Sequence, residues 1–253
     1  MAGRYASTFA TLVDLVLPVR CAGCERAGAG PICPACSAAL TGLRPAPVAP
    51  DPAPPGLPPC VALGPYEGAL RGLLLAYKDD GRHRLAAPLG DHLARCVAAA
   101  VLRAGHPAGT PVILVPVPST GAAARARHGD HMRRLARRAV RALLRRSWPA
   151  AVARPLAARP KPDSSHLDAA GRAAAARDAF RIRSEPARRV ARAAAAGAVV
   201  IAVDDVLTTG ATMAAVAHRM AGSGLPVAGA ATLTATRRRY PTRRVAIQGF
   251  YPV

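Results

Sequence analysis

Residues 198–212 read AVVIAVDDVLTTGAT: an apolar run meets two adjacent carboxylates, Asp204 and Asp205, and then a turn of small and hydroxylated residues. The apolar run has the length of a buried strand, and ligands of open parallel sheets bind beyond the C-terminal ends of such strands. Gly210 lets a backbone approach an anion, the free N–H groups of a following helix point at it, and threonine hydroxyls add donors. Asp204 and Asp205 therefore suit the hydroxyl groups of a ligand. Thr208, Thr209, Gly210, Ala211 and Thr212 suit its terminal phosphate. The plainer alternative is a strand end whose Asp and Thr residues cap the next helix. Capping accounts for one such residue, but not for two acids followed by a threonine-rich turn.

Working outward, the same strand-to-helix alternation recurs. The stretch from Ala69 to Ala104 reads as two helices separated near Asp79 to Arg82, with Gly81 as the stop. VILVPVP, Val112 to Pro118, is a short apolar run ending in prolines and reads as a second buried strand. A helix with arginine on most exposed positions is expected from about Ala122 to Arg146. PARRVARAAAAG leads into the 198–205 strand, ATMAAVAHRMAGSG forms a helix ended by glycine, and VAGAATLTATR is a further strand. The expected fold is α/β, a mostly parallel sheet flanked by helices.

Four of the six cysteines fall in the first 36 residues, spaced Cys21-x2-Cys24-x8-Cys33-x2-Cys36. Two paired-thiol knuckles suit tetrahedral zinc with no open position, so the metal would be structural. Two disulfides or free thiols are the alternatives. Cys60 and Cys96 stand alone and read as buried or incidental. From Pro45 to Pro59 the chain runs PAPVAPDPAPPGLPP, which cannot pack as helix or central strand and reads as an extended linker. The expected division is an N-terminal cysteine module over 1–44, a linker over 45–60 and the main domain over 61–253.

The formal charge of +21 points toward polyanionic partners, nucleic acid among them. Yet only Lys78 and Lys161 of the 35 basic residues are lysines, the pattern that a GC-rich genome imposes on solvated faces. Three Phe, one Trp and five Tyr leave few platforms for stacking single-stranded bases. Arginines of residues 125–146 gathered on one face near the cysteine knuckle would favour nucleic acid, and scattered ones compositional drift. No run of about 18 uninterrupted apolar residues exists, so no membrane insertion is expected. Asp14 interrupts the apolar N-terminal stretch and no small-residue cleavage site follows it, so the expected location is cytoplasmic.

With these motifs in view, AVVIAVDDVLTTGAT resembles the phosphoribosyl pyrophosphate motif of type I phosphoribosyltransferases. A four-cysteine knuckle, a linker and such a domain together are similar to the ComF family of competence-associated proteins, over a span from Cys21 to about Arg237. PYEGALRGLLLAYKDDGRHRLAAPLG resembles that family's tyrosine, glycine, leucine and arginine run ending in a lysine and a basic turn. LVPVP followed by Arg125 and Arg127 resembles its valine-proline strand and arginine-rich loop. The resemblance implies that Asp204 and Asp205 bind the ribose hydroxyls, that Thr208 to Thr212 hold the 5-phosphate, and that Arg125 and Arg127 contact pyrophosphate. It implies magnesium accompanying phosphoribosyl pyrophosphate, transfer of the phosphoribosyl group to an acceptor, and a role linked to DNA uptake or processing.

The chain also departs from that pattern. Arg127-His128-Gly129-Asp130-His131 stands where the family carries arginine-glycine-phenylalanine-asparagine-glutamine. Ser164-Ser165-His166-Leu167, then Arg172 and Ala175 before Ala179-Phe180, stand where it carries glutamine-x-glycine-leucine with a later arginine and asparagine. The lost residues bear on the acceptor. Lys78 is a candidate phosphate or acceptor contact; a helix-end charge pairing with Asp79 and Asp80 is its plainer reading. His83, His92, His128, His131, His166 and His218 show no metal spacing and are expected exposed or partly buried. Two rivals to the enzyme stand: a non-catalytic ligand-binding or nucleic-acid-associated accessory protein, and a receiver-like domain whose paired acids bind magnesium.

Overall fold

The computed structural model describes residues 20–28, 30–126, 129–159 and 179–236. After a loop bearing Cys21, Cys24 and Cys33 comes helix α1, Pro34–Gly42, and then strand β1, Ala46–Val48. The main body follows as β2 (Cys60–Pro65), α2 (Gly68–Lys78), a single 3-10 turn (His83–Leu85), α3 (Ala86–Arg103) and β3 (Val112–Pro116). Next are α4 (Gly121–Ala126), α5 (His131–Leu144), β4 (Ala150–Val152), β5 (Leu156–Ala158) and β6 (Phe180–Ile182). The described part closes with α6 (Ser184–Ala195), β7 (Val199–Leu207), α7 (Ala211–Ala221) and β8 (Gly229–Ala235).

Six strands form one sheet in the order β1-β2-β8-β7-β3-β4, parallel throughout except at the β1 edge. This is the expected α/β architecture. β5 and β6 make a separate antiparallel ribbon. Side chains from α2, α3 and α5 pack one core on one face of the sheet, with Leu73, Leu89, Leu93 and Leu135 fully buried. Met213, Val216 and Met220 of α7 pack a second core with Phe180 on the other face.

The chain leaves β3 through α4 and α5 toward β4, and leaves β7 through α7 toward β8, in opposite directions across the sheet. The two crossover paths therefore part between β3 and β7, which opens a crevice beyond their C-terminal ends. Pro116 is paired with Val203, so Asp204 and Asp205 extend past the end of β3.

Three local expectations need correcting. The Pro-rich stretch is not only a linker, because Ala46–Val48 pairs with Cys60–Ala62 as the sheet's antiparallel edge, where proline's missing donor is tolerated. The strand bearing the acids does not stop at Asp205. It continues to Leu207 because Val206 and Leu207 pair with Thr234 and Ala235. The arginine-rich helix is broken: Gly129 sits at φ +123°, and Asp130 starts α5 afresh by accepting a hydrogen bond from the Arg133 N–H at 2.8 Å. By contrast the 79–82 interruption falls as expected, with Gly81 in the left-handed region at φ +65°.

Residues 83–103 are long and apolar enough, at mean hydropathy 1.3, to cross a membrane. In this fold Leu89, Leu93 and Val97 of that stretch are buried in the first core.

Candidate functional site

Strand alternation decides where the residues of β7 face. Val199, Ile201 and Val203 enter the first core, and Val200 and Ala202 the second. Beyond Val203, Asp205 faces Lys78 of α2 and His131 of α5.

Asp205 is buried, and its Oδ2 lies 2.9 Å from Lys78 Nζ and 3.4 Å from His131 Nε2. Lys78 thus pairs with a carboxylate distant in sequence, beyond its neighbours Asp79 and Asp80. The contact is an ion pair outside hydrogen-bond alignment, since Asp205 Oδ2 and His131 Nδ1 have no hydrogen-bond partner. Burial opposes ionisation of Asp205, but the His131 contact and the Lys78 ammonium outweigh it and hold the carboxyl well below the usual carboxylate range. Asp204 is half-buried, and its Oδ1 accepts the Asp205 N–H at 2.9 Å. Burial, and after it the neighbouring Asp205 charge, push the Asp204 carboxyl well above its ordinary value. Two adjacent acids therefore hold opposite protonation tendencies.

His131 and Tyr77 are the residues the sequence reading missed. His131 is buried at 4% exposure, against the expectation of an exposed or partly buried side chain. The Tyr77 hydroxyl donates to the His131 carbonyl at 2.7 Å, and burial pushes the phenol up to about 12. A signal was present: His131, Leu135 and Ala139 recur at the i, i+4, i+8 spacing of the buried stripe of α5.

The turn after β7 behaves differently from its strand. Thr208, Thr209, Ala211 and Thr212 are exposed, whereas Gly210 is buried at φ +76° and begins α7. No side chain caps that helix through Gly210; Thr209 Oγ1 accepts the Ala211 N–H at 3.3 Å. The remaining first-turn amides lack intrahelical partners, as at any helix start. A Cβ on Gly210 would lie 3.1 Å from Pro50 Cγ and 3.2 Å from Leu57 Cδ1. The Pro-rich segment therefore packs against the turn, which calls for glycine on steric as well as conformational grounds.

On the other lip of the crevice, Arg125 is exposed near the end of the short α4 that follows β3. Arg127 lies outside the described residues, as do Lys161, His128 and the stretch holding Ser164, Ser165, His166, Leu167, Arg172 and Ala175. Arg133, Arg134, Arg137, Arg138 and Arg141 of α5 line a single cleft with Asp130. Within it, Asp130 is paired with Arg154 at 2.8 Å.

The four cysteines Cys21, Cys24, Cys33 and Cys36 come together with all Sγ atoms within 4.8 Å of one another. Tetrahedral zinc with bonds near 2.3 Å separates its sulfurs by about 3.8 Å, and Cys24 Sγ lies 3.7 Å from Cys33 Sγ. That spacing is far from the roughly 2.05 Å of a disulfide, and all four thiols are free. Backbone amides of Gly23 and Cys33 donate to Cys21 Sγ at 3.4 and 3.2 Å, and the Cys36 N–H donates to Cys33 Sγ at 3.4 Å. Burial raises the Cys21 thiol, but amide donors led by Cys33 outweigh it and bring it down to about 6, toward the thiolate that a metal needs. Burial instead pushes Cys36 up. Three of the four are buried and Cys24 is exposed. The set fits a closed structural zinc site.

The module is docked on the main body. A Cβ on Gly72 of α2 would lie 2.6 Å from the Ala22 carbonyl oxygen, and one on Gly23 would lie 2.9 Å from Cys36 Sγ and 3.1 Å from Ala69 Cβ. One helix, α2, thus touches the cysteine loop along its first half and presents Lys78 to Asp205 at its end.

No family model matches this chain, and no curated protein matches it.

Proposed function

We propose that the chain binds a phosphoribosyl ligand, phosphoribosyl pyrophosphate with magnesium, in the crevice between the ends of β3 and β7. One observation carries the reading: a carboxylate pair and a glycine-entered helix start share one strand end, where the sheet's crossovers part. The likeness to ComF-type phosphoribosyltransferases supports the same ligand, with the ribose at the acid pair and the 5-phosphate on Thr208 to Thr212. Arg125 and Arg127 follow β3 and supply guanidinium forks for the diphosphate. The four cysteines hold a structural zinc, which accords with a reducing, cytoplasmic location.

As an enzyme the protein transfers the phosphoribosyl group. A nucleophile on the acceptor bonds to the anomeric carbon while the bond from that carbon to the diphosphate oxygen breaks, and diphosphate leaves with the bonding pair. Magnesium, carried in with the diphosphate, neutralises its charge. The chain's own part is positioning and charge stabilisation around an oxocarbenium-like transition state. Purified protein incubated with phosphoribosyl pyrophosphate, magnesium and a panel of nucleobases and amines should release pyrophosphate with at least one acceptor. Silence across the panel, with ligand binding intact by calorimetry, would remove the transferase and leave a binding module.

The cleft on α5 favours a second reading, a nucleic-acid-associated accessory protein. Its five arginines gather on one helix face instead of scattering, as a phosphate-backbone contact requires. Such a contact shows as an affinity for DNA that falls steeply with salt, and no binding at low salt would dismiss it.

A further inference from the structure

We infer that His131 is a positioning residue for the ribose subsite: from the start of α5 it holds the Asp205 carboxyl in the orientation that a sugar hydroxyl requires. The inference rests on the phosphoribosyl-ligand reading and adds a support to the acid pair.

Asp205 is gripped at one oxygen from two helices. Lys78 Nζ of α2 lies 2.9 Å from its Oδ2, and His131 Nε2 of α5 lies 3.4 Å from the same atom. The two supports differ in rigidity. The Lys78 side chain is 26% exposed on a flexible stem, whereas the short His131 ring is 5% exposed. Three ties fix the backbone at the start of α5: Asp130 accepts the Arg133 N–H at 2.8 Å, it pairs with Arg154 at 2.8 Å, and the Tyr77 hydroxyl donates to the His131 carbonyl at 2.7 Å. On the strand side, Thr234 Oγ1 donates to the Asp205 carbonyl at 3.3 Å. Asp205 is thus held at its backbone by the sheet and at its carboxylate by α5. Burial opposes its ionisation, and of the groups that outweigh burial His131 comes before Lys78. Packing alone does not call for a histidine here. The neighbouring residues of the buried stripe, Met132, Leu135 and Ala139, are apolar, and His131 Nδ1 is buried with no hydrogen-bond partner. That atom costs stability which an apolar side chain would keep. At 3.4 Å the Nε2 contact is loose, as supporting contacts often are until a ligand draws them in.

The test uses the full chain, ribose 5-phosphate as the probe, calorimetry for affinity and thermal melting for the fold. His131→Leu fills the buried site and removes both ring nitrogens, and it should weaken binding about tenfold, the low end for losing a hydrogen bond to a charged group. His131→Gln returns an N–H donor and should bind at least about threefold tighter than His131→Leu. Leu135→Ala, one turn along the same stripe, loosens the helix and leaves His131 in place. It should lower the melting temperature and keep affinity within about threefold of the parent chain. Should His131→Leu fail to fold, His131→Asn, whose amide has the shorter reach, takes its place beside His131→Gln. Equal binding by His131→Gln and its comparison variant, or a loss in Leu135→Ala as large as theirs, makes His131 a packing residue and overturns the inference. Absence of binding by the parent chain itself overturns the phosphoribosyl-ligand reading, a result distinct from either of these.

Discussion

The cysteine module and the end of β7 are built on opposite plans. In the module, four residues within a span of 16 positions supply every proposed ligand, and short-range backbone geometry gathers their sulfurs within 4.8 Å. At the β7 edge, local sequence supplies the acids and the turn, but their state is set from afar: by Lys78 on α2, by His131 on α5, and by Pro50 and Leu57 of the Pro-rich segment. A site of the first kind stands or falls with its metal. A site of the second kind degrades in parts, one distant support at a time.

The largest break should therefore come from the module. With only a thin local core, centred on the three buried cysteines with Ile32 and Ala69, the loop depends on the metal for order. Apparent zinc affinities in small structural sites reach about 10–16 kcal/mol near neutral pH, so a strong chelator should release one zinc per chain and unfold the module. Zinc release read with a chromogenic chelator, alongside hydrogen exchange over residues 20–43, checks this. Full exchange protection persisting in metal-free protein would show that docking on Gly72 of α2, not zinc, holds the loop.

At the β7 edge the strongest support is the Asp205 cluster. Asp205→Asn removes the buried partner of a part-exposed Lys78, so the loss should fall below the roughly 3–5 kcal/mol typical of breaking a fully buried pair. Its pH signature has a definite sign. The folded Asp205 pKa lies below its unfolded value, so its contribution is present above the unfolded value of about 3.9 and is lost as pH falls further. Asp204 runs the other way. Its raised folded pKa gives a contribution present at low pH and lost as pH rises through that value. Denaturation followed against pH should show the acid-side loss in the parent chain. In Asp205→Asn that limb should flatten. An unchanged acid limb in the variant would mean that Asp205 is not the ionised member of the pair.

How much of this could be read from sequence follows from the same contrast. The cysteine spacing, the alternation of strands and helices, and AVVIAVDDVLTTGAT are local patterns, and they led to the α/β sheet, the thiol cluster and the acid-bearing strand end. What escaped were relations between distant segments. Nothing near Lys78 announces Asp205, and a histidine beside an arginine-rich run looks solvated until its place in the buried stripe of α5 is counted. Prolines in the 45–59 stretch suggested a linker, yet an edge strand accepts proline and that one pairs with β2. The extension of β7 to Leu207 depends on β8 lying alongside, which no reading of 198–212 alone could supply.

A smaller effect is expected where the Pro-rich segment meets the turn. Gly210→Ala places a Cβ about 3.1 Å from Pro50 Cγ and keeps the left-handed φ of +76°. Strain of this kind costs about 1–3 kcal/mol. The loss should be local, seen as faster hydrogen exchange at the start of α7 with the cysteine module undisturbed. If the module loosened as well, the two regions would be coupled more tightly than their separate construction implies.

The smallest effect separates phosphate binding from helix capping within the turn itself. Thr209 Oγ1 accepts the Ala211 N–H at 3.3 Å and so serves as a local cap, whereas Thr212 is exposed. Thr209→Ala should lower stability by about 0.5–1 kcal/mol, the loss typical of a cap. Thr212→Ala should leave stability unchanged and weaken ribose 5-phosphate binding severalfold, since the lost hydroxyl is a donor to the ligand alone. Calorimetry and melting on the same two variants read both quantities. Should Thr212→Ala leave affinity untouched while Thr209→Ala shows only the stability loss, the threonines would be accounted for by the helix they precede. The acid pair would then need another explanation for standing beside them.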